Sequence, residues 1–213
     1  MSPTIRDAAC NNTHQEYFID FFGDNLIVTV TSTPSVIRKW IRNVIFNHRR
    51  SPSYHPLVVG VGVQWTPESC YHSPAETLQL CVGKRCIIIQ LSHCGRVPDV
   101  LRSFLTSQET TFVGVWNSQD ARKLEQCRHQ LEIGQLLDVR GYVEDSEGES
   151  LSGCSFEEIV EACIGYEGVR LDPMISMSDW SVDDLDPDQI LQVSTEAYVC
   201  FKLGVWARLW QQD

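Results

Sequence analysis

The sequence predicts an α/β fold in which a mixed β-sheet is flanked by helices on both faces. Residues 16–91 contain short runs rich in β-branched and aromatic residues, separated by turn residues. From residue 98 onward, helical and strand patterns alternate, and the chain ends in a long helical pattern. Strands that come early, followed by alternating helices and strands, are typical of a sheet covered on both sides.

The first elements are a hairpin, a helix and a buried strand. Residues 16–31 read as two strands joined at Gly23-Asp24-Asn25. Thr33-Pro34 then predicts the start of a helix that runs to about His48. The stretch "LVVGVGVQWTP", residues 57–67, reads as a buried strand that stops at a proline.

The middle of the chain predicts a second hairpin over 76–91, which turns at Gly83-Lys84. Pro98 opens a helix, residues 110–116 form a strand, residues 118–131 form a helix, and "GQLLDVRGY" contains a short strand end.

Two capped helices complete the pattern. Ser155 and Gly165 bound one of them, and Asp186-Pro187 begins a last helix that runs to about Trp210. The chain shows no internal repeat and no domain boundary, so we expect a flexible N-terminus over 1–15 and a single domain over 16–213.

Charge is distributed unevenly along the chain, whose formal net charge is −11. Residues 144–196 hold fifteen acids against one base, Arg170, whereas residues 38–50 hold five bases and no acid. An acidic surface repels phosphate backbones, which predicts poor nonspecific affinity for nucleic acid. A solvated face is the preferred interpretation of the acidic run, and a docking surface for a basic partner is the alternative.

The cysteine pattern favours a reducing compartment. Nine cysteines with no CxxC spacing, several inside apolar runs as at Cys81 and Cys200, predict buried thiols ahead of a disulfide or zinc framework. No apolar run approaches the length of a membrane span, and the N-terminus lacks the apolar core of a signal peptide. We therefore expect a location in the cytoplasm or nucleus, with import into an organelle left open, and no membrane partner.

The strand over 57–67 contains Gly62 and Gln64 at alternate positions, which face the same side of a sheet. Glycine weakens a strand interior and usually marks a bulge or a close backbone approach. A glycine and an amide in the middle of a buried strand therefore call for an explanation.

Five phrases in order carry a resemblance to a known family: "VVGVGVQWTP", "ETLQLCVGKRCIIIQL", "TFVGVWNSQDARKLE", "LLDVRGY" and "MSDWSVDDLDPDQILQVSTEAYVCFKLG". The chain resembles the Werner syndrome-type 3′–5′ exonucleases of the DnaQ-like, ribonuclease H-like superfamily over about residues 26–210. It is most similar to the plant branch, whose extra front hairpin resembles "GDNLIVTVTSTPSVIRKWI". The resemblance implies a ribonuclease H-like mixed sheet with an additional N-terminal hairpin.

The family hydrolyses phosphodiesters with two divalent metals, Mg²⁺ or Mn²⁺, held by four carboxylates and assisted by a tyrosine. The resemblance places the first two acids at Gly62 and Gln64, the third at Asp120, the tyrosine at Gln192 and the fourth acid at Glu196. Only Asp120 is unchanged, and Glu196 is an acid that is one methylene longer. The comparison thus implies a degenerate site with no bound metal or other cofactor. Mg²⁺ or Mn²⁺ at Asp120 and Glu196 is the alternative.

Each retained residue also has an ordinary structural interpretation. Asp120 is favourable near a helix start, and Gln192 and Glu196 have the spacing of a helical hydrogen-bonded pair. Asp138 resembles a family acid but also suits a cap of a neighbouring backbone group. Trp116 is a candidate for stacking on a base, although packing in the core is the preferred interpretation.

Three functions follow from these observations. The favoured hypothesis is an inactive exonuclease-like protein, a pseudoenzyme, that binds another macromolecule, in the first instance a protein. The alternatives are an active or residual 3′–5′ exonuclease on DNA or RNA, and a non-enzymatic nucleic-acid binder supported by residues 38–50. Association with a second copy is left open.

Overall fold

The sheet has eight strands, whereas the sequence predicts about five to seven. The computed structural model describes residues 3–50, 56–67 and 73–212, and the predicted loop over 49–56 lies partly outside these ranges. The strands are β1 (Thr4–Asn11), β2 (His14–Phe21), β3 (Asp24–Thr31), β4 (Leu57–Gln64), β5 (Thr77–Val82), β6 (Arg85–Gln90), β7 (Thr110–Gly114) and β8 (Leu136–Asp138).

The sheet is mixed, as predicted. Its strand order is β1-β2-β3-β6-β5-β4-β7-β8. The pairs β3–β6, β4–β7 and β7–β8 are parallel, and the remaining neighbours are antiparallel. Strand β4 therefore lies between an antiparallel hairpin and a parallel strand, so its carboxyl end meets the loop that follows β7.

Six α-helices in the described ranges flank the sheet: α1 (Pro34–Arg49), α2 (Asp99–Leu105), α3 (Asp120–Gln126), α4 (Phe156–Ile164), α5 (Pro173–Ser176) and α6 (Pro187–Trp206). Apolar side chains buried on the two faces of the sheet form two separate clusters. The apolar residues of α1, α2 and α3 pack on one face, and those of α4 and α6 pack on the other. Residues of β4 alternate between the clusters, as the strand period requires.

Helix α6 crosses β4 at very close range. A Cβ at Gly60 would collide with the carbonyl oxygen of Ala197, and a Cβ at Gly204 would lie 2.9 Å from Val58 and Val113 side-chain carbons. Both glycines are therefore required by close approach of the two backbones. This contact fixes the distance between the β4 face and the α6 residues that precede Gly204.

Several boundaries differ from the sequence-based expectations. The segment expected to be a flexible N-terminus contains β1, which pairs with β2 along its length with a bulge between Asp7 and Ala9. The first hairpin turns at Phe22-Gly23, one residue earlier than predicted, because these two residues adopt the positive φ angles of a tight hairpin turn. Helix α5 was not predicted.

Helix α3 ends at Gln126, although the pattern predicts a helix to residue 131. Arg102 explains the difference, since its guanidinium donates to the carbonyl oxygens of His129 at 2.6 Å and Gln130 at 3.2 Å. These tertiary hydrogen bonds hold the following segment out of the helix, where Gln130 has a φ of 49°.

The cysteines follow the prediction only in part. Cys94, Cys127 and Cys200 are buried free thiols, whereas Cys81 is joined to Cys86 by a disulfide. These two residues face each other across the β5–β6 hairpin with a Cα–Cα distance of 4.2 Å, which is the close type of antiparallel pair. Cys70 lies outside the described residues.

No helix in the described ranges combines the length and apolar character needed to span a bilayer.

Candidate functional site

The candidate site lies where the carboxyl end of β4 meets α3 and α6. Gly62 pairs with Gln79 of β5, and Gln64 pairs with Thr77. Because these positions are in register with Gly60, which touches α6, they share the face that α6 covers. We call the space where β4, α3 and α6 meet the cleft. The resemblance assigns metal-binding acids to positions 62 and 64, but Gly62 presents only backbone to the cleft and Gln64 presents a neutral amide.

Gln79 occupies part of the space beside Gly62. It is fully buried, and its Nε2 donates to Thr77 Oγ1 at 2.7 Å. Its Oε1 would lie 2.9 Å from a Cβ added at Gly62 and has no partner among the described residues. A side chain at position 62 would require Gln79 to move, which a flexible amide can do at low cost.

Asp120 lies close enough to Glu196 for its charge to affect the ionisation of Glu196. Asp120 is the first residue of α3 and is 7% exposed. Burial, together with the charge of Asp138, raises its pKa to about 7. Burial and the charge of Asp120 raise the pKa of Glu196 to about 8. Both shifts favour the protonated carboxyl while no cation is bound.

Asp138 forms an ion pair with a neighbouring side chain. The Arg140 guanidinium donates to its carboxylate, with the shortest contact at 2.6 Å from Nη2. The carboxylate also accepts from the Arg140 backbone N–H at 3.1 Å, as expected for a cap. Asp138 is therefore committed to a local ion pair at the edge of the cleft.

Gln192 does not bond to Glu196, so the expected pairing within the helix is wrong. Its Oε1 accepts from the Asp172 backbone N–H at 2.7 Å, and its Nε2 donates to the Asp172 carbonyl at 3.2 Å and Ser176 Oγ at 2.9 Å. These three hydrogen bonds hold α5 against α6. The position that the resemblance assigns to a water-orienting tyrosine instead anchors a neighbouring segment.

Trp116 is not in the core, contrary to the preferred interpretation. It is 42% exposed, has a φ of 48°, and lies under the Arg140 guanidinium at 5.2 Å from its ring centroid. An uncommon backbone conformation for a bulky residue thus presents an aromatic ring to Arg140, the residue that pairs with Asp138.

The donor set does not suit two divalent metals. Hard cations need several anionic oxygens, and this cleft supplies two carboxyls, a third carboxylate that is paired with Arg140, and neutral amides. Within the described ranges, no group of three or more His, Cys, Asp or Glu side chains is arranged to hold a metal ion.

Comparisons with known proteins agree on the architecture. The Escherichia coli RNase D structure, described as an exoribonuclease involved in structured RNA processing, matches with a TM-score of 0.63 and 18% identity over 84% of this chain and 45% of that one. The catalytic core of RRP6 from Trypanosoma brucei matches with a TM-score of 0.65 and 12% identity over 91% and 49% of the two chains. The chain has the fold of the DnaQ-like 3′–5′ exonucleases.

Sequence similarity within this exonuclease fold is low. A protein of Acanthamoeba polyphaga mimivirus, to which the activity of a 3′–5′ exonuclease is ascribed, is 23% identical over 186 residues, covering 84% of this chain and 45% of that protein. No protein-family model matches the chain. The chain spans a little under half the length of the mimivirus protein and of RNase D.

Sequence reasoning about the site missed Gln79, Arg140 and Cys200. Cys200 lies one turn beyond Glu196, and burial, with the nearby charges of Glu196, Asp138 and Asp120, raises the pKa of its thiol. The helical spacing of Glu196 and Cys200 is a signal that could have found this thiol. Gln79 becomes visible only when β4 and β5 are paired in register.

Proposed function

We propose that this chain is a catalytically inactive 3′–5′ exonuclease-like protein that acts by binding another macromolecule, in the first instance a protein. The observation that carries the proposal is the pair Gly62 and Gln64 on the β4 face toward α6. Loss of one bridging carboxylate costs on the order of a thousandfold in rate, so the loss of two, with the tyrosine, leaves little activity. Gln192 supports the same proposal, because it stands at the position of the tyrosine and its side chain hydrogen-bonds to Asp172 and Ser176 instead.

A nuclease assay tests inactivity. The purified chain is incubated with end-labelled single-stranded and recessed 3′-end DNA and RNA, with Mg²⁺ or Mn²⁺, beside the Asp120→Ala variant. We expect equal, background-level signal from both proteins. A 3′–5′ degradation ladder from the wild type that disappears in Asp120→Ala would establish the active or residual exonuclease instead.

Calorimetry separately tests the proposal that the cleft binds no divalent metal ion tightly. We expect no Mn²⁺ affinity in the micromolar range, because the cleft supplies too little negative charge to replace the hydration of the ion. Asp120→Asn should behave like the wild type. Tight Mn²⁺ binding that this substitution abolishes would contradict the proposal.

A non-enzymatic nucleic-acid binder is the second candidate, and Trp116 favours it. Its ring is exposed and lies beside the Arg140 guanidinium, and bases stack on aromatic side chains in sequence-tolerant binding. Fluorescence anisotropy with a labelled single-stranded oligonucleotide, comparing wild type with Trp116→Ala, tests this function. Binding that weakens severalfold in Trp116→Ala would support it, whereas equal anisotropy for the two proteins would contradict it.

A further inference from the structure

The solvent-facing side of α1 is a basic surface with an exposed aromatic ring. Arg38, Lys39, Arg42 and Arg50 are exposed, and Phe46 between them is 56% exposed. We call these five residues the α1 surface. Within residues 3–50, 56–67 and 73–212, none of the four bases forms an ion pair. Arg50 instead lies over the Phe46 ring at 5.1 Å from its centroid. The positive charge of this helix is therefore uncompensated within the described fold.

The surface around α5 has the opposite charge and its own exposed apolar side chains. Met174 is 80% exposed and Met177 is 63% exposed. Asp172 and Asp188 line a shared groove of about 450 Å³ beside the first turns of α6, and Arg170 also lines this groove. We call the two methionines and the two aspartates the α5 surface. Arg170, the one base among residues 144–196, is already paired with Glu157.

The two surfaces match in charge and in apolar character. The arginines and lysine of the α1 surface are complementary in charge to the aspartates of the α5 surface. Contacts between the methionine sulfur atoms of the α5 surface and the aromatic ring of the α1 surface would also be favourable. Exposed methionines are typical of surfaces that bind partners. The α1 surface thus supplies positive charge and an aromatic ring, and the α5 surface supplies negative charge and methionine side chains.

The surfaces cannot meet within one chain. The buried side of α1 packs on one face of the sheet, and Ile175 of α5 packs against the cluster on the other face. The eight-stranded sheet separates them. Contact between them requires two molecules, each contributing a different surface.

We propose that this chain associates with a second copy of itself head to tail, with the α1 surface of one copy docked on the α5 surface of the next. Such an interface is heterologous, so successive copies form a closed ring or an open filament. The proposal goes beyond the proposed function, because it holds whether or not the cleft is catalytic.

The test uses two variants of the full chain, each with one surface disabled. Arg38→Glu with Arg42→Glu reverses the α1 surface, and Met174→Lys with Met177→Lys places positive charge on the α5 surface. All four side chains are exposed, so the substitutions leave the core intact. Arg85→Glu with Arg122→Glu, at two exposed bases outside both surfaces, is the matched control.

Sedimentation velocity at low salt is the measurement. We expect the mass of the wild type and of the control to rise with concentration, while each one-surface variant stays monomeric. An equimolar mixture of the two variants should form a dimer and nothing larger, since each supplies the surface that the other lacks. Raising the ionic strength from 0.1 M to 1 M shortens the screening length from about 10 Å to about 3 Å and should dissociate the wild type.

Three results would overturn the proposal. They are a monomeric wild type at all concentrations, association that persists in either one-surface variant, and a mixture that stays monomeric. A monomeric wild type that binds an oligonucleotide, with binding lost in Arg38→Glu, Arg42→Glu, would assign the α1 surface to nucleic acid instead. Failure of self-association leaves the nuclease assay unaffected, so the two proposals fail separately.

Discussion

At the scale of single residues, the carboxyl pair at the cleft penalises the folded state. Asp120 has a folded pKa of about 7 against an ordinary value of 3.8. Between about pH 4 and pH 7 the folded chain therefore holds a proton that the unfolded chain has released. The free energy of unfolding must fall as pH rises through this window, because the unfolded state then binds fewer protons.

Asp120→Asn should remove that penalty. We expect the stability advantage of the variant over the wild type to reach roughly 1–3 kcal/mol at pH 8 and to be smaller at pH 5, which lies near the lower end of the window between the unfolded and folded pKa values of the carboxyl. Urea unfolding at both pH values measures the difference. Asp188→Asn, at an exposed acid, should follow the wild-type pH dependence. Parallel curves for Asp120→Asn and the wild type would show that burial and the charge of Asp138 do not raise the pKa of Asp120.

A single methyl group at Gly60 should have a large effect. Gly60→Ala drives a Cβ into the carbonyl oxygen of Ala197, and neither backbone has room to give. We expect destabilisation of about 3 kcal/mol or more, as for other overpacked core sites. Gly95→Ala is the control, because a Cβ there meets nothing within 4 Å. Similar thermal midpoints for the two variants would mean that α6 can slide away from β4.

At the scale of elements, α5 depends on one side chain from α6. Gln192→Ala removes the three hydrogen bonds to Asp172 and Ser176. We expect faster amide exchange over residues 172–178 and a loss of about 1–3 kcal/mol in the free energy of unfolding. Gln126→Ala, at the exposed end of α3, should change neither quantity. Unchanged exchange over 172–178 would mean that α5 is held by its other contacts.

Element boundaries were predictable where the signals were local. The capping box at Ser155 and the left-handed Gly165 bound α4 as expected, because each acts within one turn of the helix. The turn at Gly83-Lys84 was equally local, and it already places Cys81 opposite Cys86. The early end of α3 and the existence of α5 depend instead on Arg102 and Gln192, whose partners are remote in sequence.

The features of the site were also predictable where they depend on local geometry. The spacing of Gln192 and Glu196 follows from helical geometry, and the shared face of Gly62 and Gln64 follows from the strand period. The direction in which Gln192 bonds, the burial of Gln79 and the exposure of Trp116 depend on how distant segments pack. Those features required the structure.

At the scale of the whole molecule, the scaffold should accept the missing ligands. The variant Gly62→Asp, Gln64→Glu, Gln192→Tyr, Glu196→Asp restores the set that the resemblance implies. We expect Mn²⁺ to raise its melting temperature by several degrees, because binding to the folded state alone stabilises it. Displacement of Gln79 and release of α5 offset part of the gain. The same protein with Asp120→Asn should lose the response, and no Mn²⁺-dependent shift in either would refute the assignment of these positions.

The glycine contact between α6 and β4 has an evolutionary consequence. Because glycine backbones and apolar clusters hold the helix in place, selection for folding and selection for chemistry act on different residues. Positions 62 and 64 are free to drift toward new roles, whereas Gly60 and Gly204 stay under purifying selection. Among close orthologues, substitutions should accumulate at positions 62 and 64 and be rare at the two glycines.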